Sequence, residues 1–106
     1  MAYNPEQLST MLDMLKNNIE LITDYMDASA LSAKNAQLTH YIDMAIKNIT
    51  IEGIEIDYSD IGDLMTVAMY AAWLYEKRRY PTVNMPRMLR WTLNNRLFSV
   101  KAAEDA

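Results

Sequence analysis

The sequence predicts an all-α domain: a small bundle of three main helices plus a shorter N-terminal helix, joined in part by a short extended connection near residues 51–57. Three observations carry this. Half of the 106 residues are hydrophobic and only two are glycine, which suits a compact helical fold rather than a disordered chain. Apolar residues recur at helical spacing in four separate stretches. A single piece alternates like a strand, Ile51-Glu52-Gly53-Ile54-Glu55-Ile56-Asp57, and with no second strand to pair it reads as an extended connection. The length is that of one domain, residues 1–106.

The first helix starts at Asn4-Pro5-Glu6-Gln7, with asparagine as N-cap, proline at the first helical position and an acid in the first turn. Leu8, Met11, Leu12, Leu15 and Ile19 follow at helical spacing, which predicts a helix to about Asn17. Residues 23–34 are small and polar, and either a loop or an early turn of the next helix accommodates them. In the second helix Leu38, Ile42, Ala45, Ile46 and Ile49 share one face, while His40, Asp43 and Lys47 lie opposite. Gly53 suits its stop.

The third helix begins near Ser59 or Asp60, with Asp63 in its first turn. Ile61, Leu64, Ala68, Ala71, Ala72 and Tyr75 form one apolar face; Val67, Tyr70 and Leu74 form a second; Met69 and Trp73 fall outside both. A helix apolar nearly all round is buried on several sides, and the alanines admit a neighbouring helix closely. Tyr80-Pro81 ends it, because the residue before proline avoids the α region. Pro86 opens the fourth helix. There Leu89, Leu93, Leu97 and Val100 form the core stripe, while Trp91 and Phe98 stand about 155° away. Arg87, Asn94 and Lys101 flank that aromatic pair. Met11 and Met65 read as core, whereas Met85 and Met88 border the basic, aromatic helix, where flexible thioethers suit an adaptable contact surface.

Charge is divided unevenly. Through Asp63 there are eleven acids and three bases; residues 77–101 hold seven bases (Lys77, Arg78, Arg79, Arg87, Arg90, Arg96, Lys101) and no acid. The basic end could steer toward nucleic acid, or meet the acidic end of another copy. A DNA-binding reading would pair the third and fourth helices as a helix–turn–helix, but their connection carries Pro81 and Pro86 and the whole chain is acidic, with a pI near 4.8.

Catalysis finds little to work with. His40 is the only histidine, with Asp43 as its nearest carboxylate one turn on, too few ligands for a zinc or di-iron site. There is no cysteine, no Gly-rich phosphate loop and no calcium-loop spacing between residues 52 and 63. The serines lack a base in sequence context. No enzyme, metal or cofactor is expected, and no small-molecule substrate. The longest apolar run, residues 64–75, is shorter than the about twenty residues a bilayer needs. A secretory leader is not expected either, so the expectation is a soluble protein without membrane partners.

Tyr70-Ala71-Ala72-Trp73-Leu74-Tyr75, the Lys77-Arg78 that follows, and the run Met85-Pro86-Arg87-Met88-Leu89-Arg90-Trp91-Thr92-Leu93-Asn94-Asn95-Arg96-Leu97-Phe98-Ser99 resemble the head–tail connector (adaptor) proteins of tailed bacteriophages and prophages. The likeness continues upstream through Leu38-Thr39-His40-Tyr41-Ile42, Glu52-Gly53-Ile54 and Leu12 with Leu15-Lys16. Residues 23–34 are longer and more polar than the family pattern. The resemblance implies a virion structural protein, made in the host cytoplasm and placed at the head–tail interface. Its copies would form a homo-oligomeric ring below the portal protein, extend the channel for viral DNA, and offer a surface to a downstream tail or stopper protein. The residues expected at subunit or partner contacts are Met69, Trp73, Arg78, Arg79, Met85, Arg87, Arg90, Trp91, Asn94 and Phe98. A head-to-tail ring needs two unlike faces on each copy and apolar surface left open in the monomer.

Overall fold

A computed structural model describes residues 3–105, with side chains described through Ser99. Four helices follow one another: α1 (Pro5–Asn18), α2 (Ala28–Ile51), α3 (Ile61–Lys77) and α4 (Arg87–Asp105). The described residues contain no strand, as an all-α bundle requires. α1 is capped as its sequence dictates. The Asn4 side chain accepts from the Gln7 amide, and the Gln7 side chain accepts from the Asn4 amide, a reciprocal box that satisfies two orphan donors.

The polar segment at residues 23–34 divides at Asp27. Residues 19–27 connect, and Asp27 caps α2 by accepting from the Ala30 amide at 2.7 Å. The helix therefore starts ten residues before its first fully buried side chain, Leu38. Periodicity cannot register such an overhang, because nothing there faces a core. α2 stops at Gly53, whose φ of +101° is left-handed backbone that glycine adopts without strain. Residues 54–57 then connect without helix or strand, with Ile54 buried and Ile56 half-buried.

α3 is the central helix and packs on α1, α2 and α4. Neighbours alternate in direction. Lys34, early in α2, reaches Tyr75 at the end of α3; Arg96, late in α4, reaches Asp63 at the start of α3; Tyr3, before α1, reaches Asp43 and the ring of Tyr58. The core joins Met11 and Leu15 to Leu38, Ile42 and Ile49, to Val67, Ala68 and Ala71, and to Leu89 and Leu93. Full burial of each large member is worth about 1.5–3 kcal/mol. Two expected core positions are not core. Ile61 is 58% exposed and Met65 49%, because the other helices cover the Leu64, Val67, Ala68 and Ala71 side of α3 and leave the strip one turn apart at 61 and 65 open. Val100, expected to extend the leucine stripe, and Lys101 lie outside the residues whose side chains are described.

The molecule measures 52 × 33 × 18 Å. Its thin dimension is less than two helix diameters of about 10–12 Å, so a helix in this layer cannot be covered on every side. A compact monomer of 12.2 kDa exposes about 6,100 Å², whereas this chain exposes 6982 Å².

Candidate functional site

The outward face of α4 carries Met88, Trp91 and Phe98, all between 63% and 64% exposed. At 100° per residue they fall in one stripe with Asn95, opposite Leu89, Leu93 and Leu97. Arg87 and Asn94 are exposed beside it. Trp91 borders a cleft of about 280 Å³ whose far wall is Gly62, Asp63 and Thr66 on the first turns of α3. Ile61 and Met65 stand exposed on those same turns. Indole, benzyl and thioether groups thus share the open face of α4, and the sec-butyl and thioether groups of Ile61 and Met65 are open on the start of α3.

Buried polar contacts hold this face in place. The Asp63 carboxylate is nearly buried and accepts the Arg96 guanidinium through both its Nε and a terminal nitrogen, at 3.1 Å each. It also accepts the Asp57 amide at 2.8 Å, while Arg96 donates to the Glu55 carbonyl at 2.9 Å. Hydrogen bonding to Asp63 raises the already high pKa of Arg96. One ion pair therefore pins α4, the start of α3 and the connection before it together. A second joins Arg90 to Glu52. A Cβ on Gly53 would lie 3.5 Å from the Leu97 side chain, an ordinary contact distance, so its positive φ rather than crowding calls for glycine. Neither ion pair is announced by its sequence spacing, since the partners are 33 and 38 residues apart.

The residues expected at contacts divide into three groups. Trp91, Phe98, Arg87, Asn94 and Arg79 are exposed. Arg78 is exposed as well, though it stacks 4.1 Å from the Tyr75 ring centroid and donates to the Tyr75 hydroxyl. Met69, Trp73 and Met85 are half-buried against their own core. The Trp73 indole donates to the Val83 carbonyl at 3.3 Å, meets Tyr70 edge-on and carries Lys77 over its ring. Arg90 is engaged with Glu52 inside its own chain. Met88, which the sequence places at the border of the basic, aromatic helix, shares the Trp91 stripe, whereas Ile61 and Met65, expected in the core, are exposed.

Lys34 and Arg78 both donate to the Tyr75 hydroxyl, at 2.8 and 2.7 Å. Burial pushes its pKa up, but the two cations together outweigh burial and lower it. Tyr3 is the opposite case. Burial first, then the bond to Asp43, push its pKa to about 12.

His40 is exposed and lies edge-on to Tyr41, and Asp43 is taken by the Tyr3 hydroxyl. Among the described residues no three His, Cys, Asp or Glu side chains gather as metal ligands would. No helix of the described residues is long and apolar enough to cross a membrane. Comparison with protein-family models, with curated proteins and with solved structures finds no match to this chain.

Proposed function

We propose that the chain is a non-catalytic, ring-forming subunit of the head–tail connector of a tailed phage or prophage. It would dock below the portal, extend the DNA channel and offer a surface to the next tail or stopper protein. The phage setting is what the resemblance of residues 70–99 implies; the geometry supports the coarser part, a subunit built to be covered by a neighbour. The observation that carries the reading is the open Met88–Trp91–Phe98 stripe on a helix whose other side is locked into the core.

Truncation of the stripe tests it. Trp91→Ala and Phe98→Ala together should leave helicity by circular dichroism unchanged and lower self-association by light scattering at least tenfold. Equal loss of helicity and association would make these side chains part of the fold, contrary to the proposal. Duplex-DNA binding through the basic C-terminal helices is the competing reading. Two of the bases on α4, Arg90 and Arg96, are committed to Glu52 and Asp63, which leaves that helix poorly supplied for phosphate contacts. Tight binding of the isolated protein to duplex DNA with a steep salt slope would favour it instead.

A further inference from the structure

The start of α3 and a groove at its other end, about 25 Å away along the helix axis, present unlike charge. Glu55, Asp57 and Asp60 stand exposed at its start, with Ile51 and Ile61 exposed beside them. At its other end a groove of about 680 Å³ opens between the α1–α2 connection, the first turns of α2 and the C-terminus of α3. Leu21, Tyr25, Lys34, Tyr75, Arg78 and Arg79 line it, and no carboxylate of the described residues does so. It continues into a neighbouring recess that shares Leu21, Tyr25, Tyr75, Arg78 and Arg79, where Glu20 and Glu76 are also found. Ile22, Tyr25 and Tyr80 at this end are 65–77% exposed.

The chemistry of the groove favours a carboxylate-bearing segment. The Tyr75 hydroxyl already accepts from Lys34 and Arg78, so its own proton is the group left to donate, and two neighbouring cations make it a stronger donor. Arg79 is exposed, and the planar guanidinium fork of an arginine suits a carboxylate in two-point contact. Apolar Leu21 and Tyr25 supply the area that charge alone does not.

We propose that this groove receives the acidic segment at residues 55–60 of a second copy of the same chain. The inference rests on the assembly reading above and specifies its contact: the start of α3, with the Trp91 stripe across the cleft, is the donor face, and the groove at the end of α3 is the acceptor face. Because the two faces are unlike, each docked copy leaves one of each open, so the contact propagates and closes only as a ring. Glu55, Asp57 and Asp60 meeting Lys34, Arg78 and Arg79 also sets the register between copies.

The chain has no cysteine, which makes thiol cross-linking a clean test. Tyr25→Cys and Glu55→Cys are prepared singly and together, and each protein is treated with a flexible bismaleimide. The double variant should give a ladder of covalent oligomers, an equimolar mixture of the two single variants should give dimers, and each single variant alone should give none. In the double variant, Arg78→Glu with Arg79→Glu should reduce the ladder at least tenfold. A double variant that stays uncross-linked overturns the groove; if light scattering still reports oligomers from that sample, the assembly reading survives and only this contact falls. Cross-linked dimers from either single variant overturn it too, since they require like faces to meet. Arg78→Glu with Arg79→Glu abolishing duplex-DNA binding while leaving the ladder intact would likewise overturn it, by giving the groove to phosphate.

Discussion

Asp63 is the acid on which most of the local order converges. It is nearly buried and holds both a guanidinium and a backbone amide, so removing Arg96 strands a charge away from water. Arg96→Ala should cost about 2 kcal/mol by urea denaturation, at the low end for a buried pair because Arg96 is about one-third exposed. Arg87→Ala, on an exposed arginine of the same helix, should stay within about 0.5 kcal/mol. The tyrosines give a second residue-scale outcome. Tyr3, raised to about 12, favours the fold while neutral, and its contribution is lost as pH rises from its unfolded value of about 10 through 12. Tyr75 has the opposite sign, because its lowered pKa favours the ionised form, and that contribution disappears as pH falls through the lowered value. An NMR titration of the tyrosine rings should find Tyr75 ionising well before Tyr3; the reverse order would contradict the assigned contacts. None of this was legible in the sequence. An ion pair or a bond 33 to 41 residues apart depends on how helices are stacked, and periodicity carries no such information.

At the scale of elements the sequence was more informative, and the reasons differ from helix to helix. α1 was readable at its start because Asn4, Pro5 and Gln7 act locally on the backbone. The start of α2 was not, because its first two turns overhang the core and only the Asp27 cap marks them. The apolar character of α3 predicted burial on several sides, which holds for Leu64, Val67, Ala68, Tyr70 and Ala71 and fails at Ile61 and Met65. A flat layer less than two helix diameters thick has too few neighbours to cover a full circumference. α4 shows both faces most plainly. Leu93 is fully buried and Trp91 is 63% exposed, so Leu93→Ala should cost about 3 kcal/mol of stability, and Trp91→Ala less than about 0.5 kcal/mol. Thermal or chemical unfolding of the two variants distinguishes them, and comparable losses would place Trp91 in the core.

For the whole molecule the governing facts are shape and the placement of charge. An 18 Å layer leaves large apolar side chains such as Met88, Trp91 and Phe98 open to solvent. The sequence indicated the division into acidic and basic parts, but not that exposed Glu55, Asp57 and Asp60 lie at the start of α3 while Lys34, Arg78 and Arg79 line a groove at its end. Association between such ends should weaken as salt rises, since exposed charges are screened beyond about 8 Å at physiological ionic strength. The apolar stripe should preserve part of it, so sedimentation at raised salt is expected to find weakened rather than abolished oligomers.

The most direct measurement is a mass-spectrometric and electron-microscopic examination of purified tailed particles from the genome that encodes the chain. The account predicts many copies of the polypeptide per particle, arranged as a ring immediately below the portal with the Trp91 face covered by the adjacent copy. Intact, DNA-filled particles with tails that lack the polypeptide altogether would contradict it.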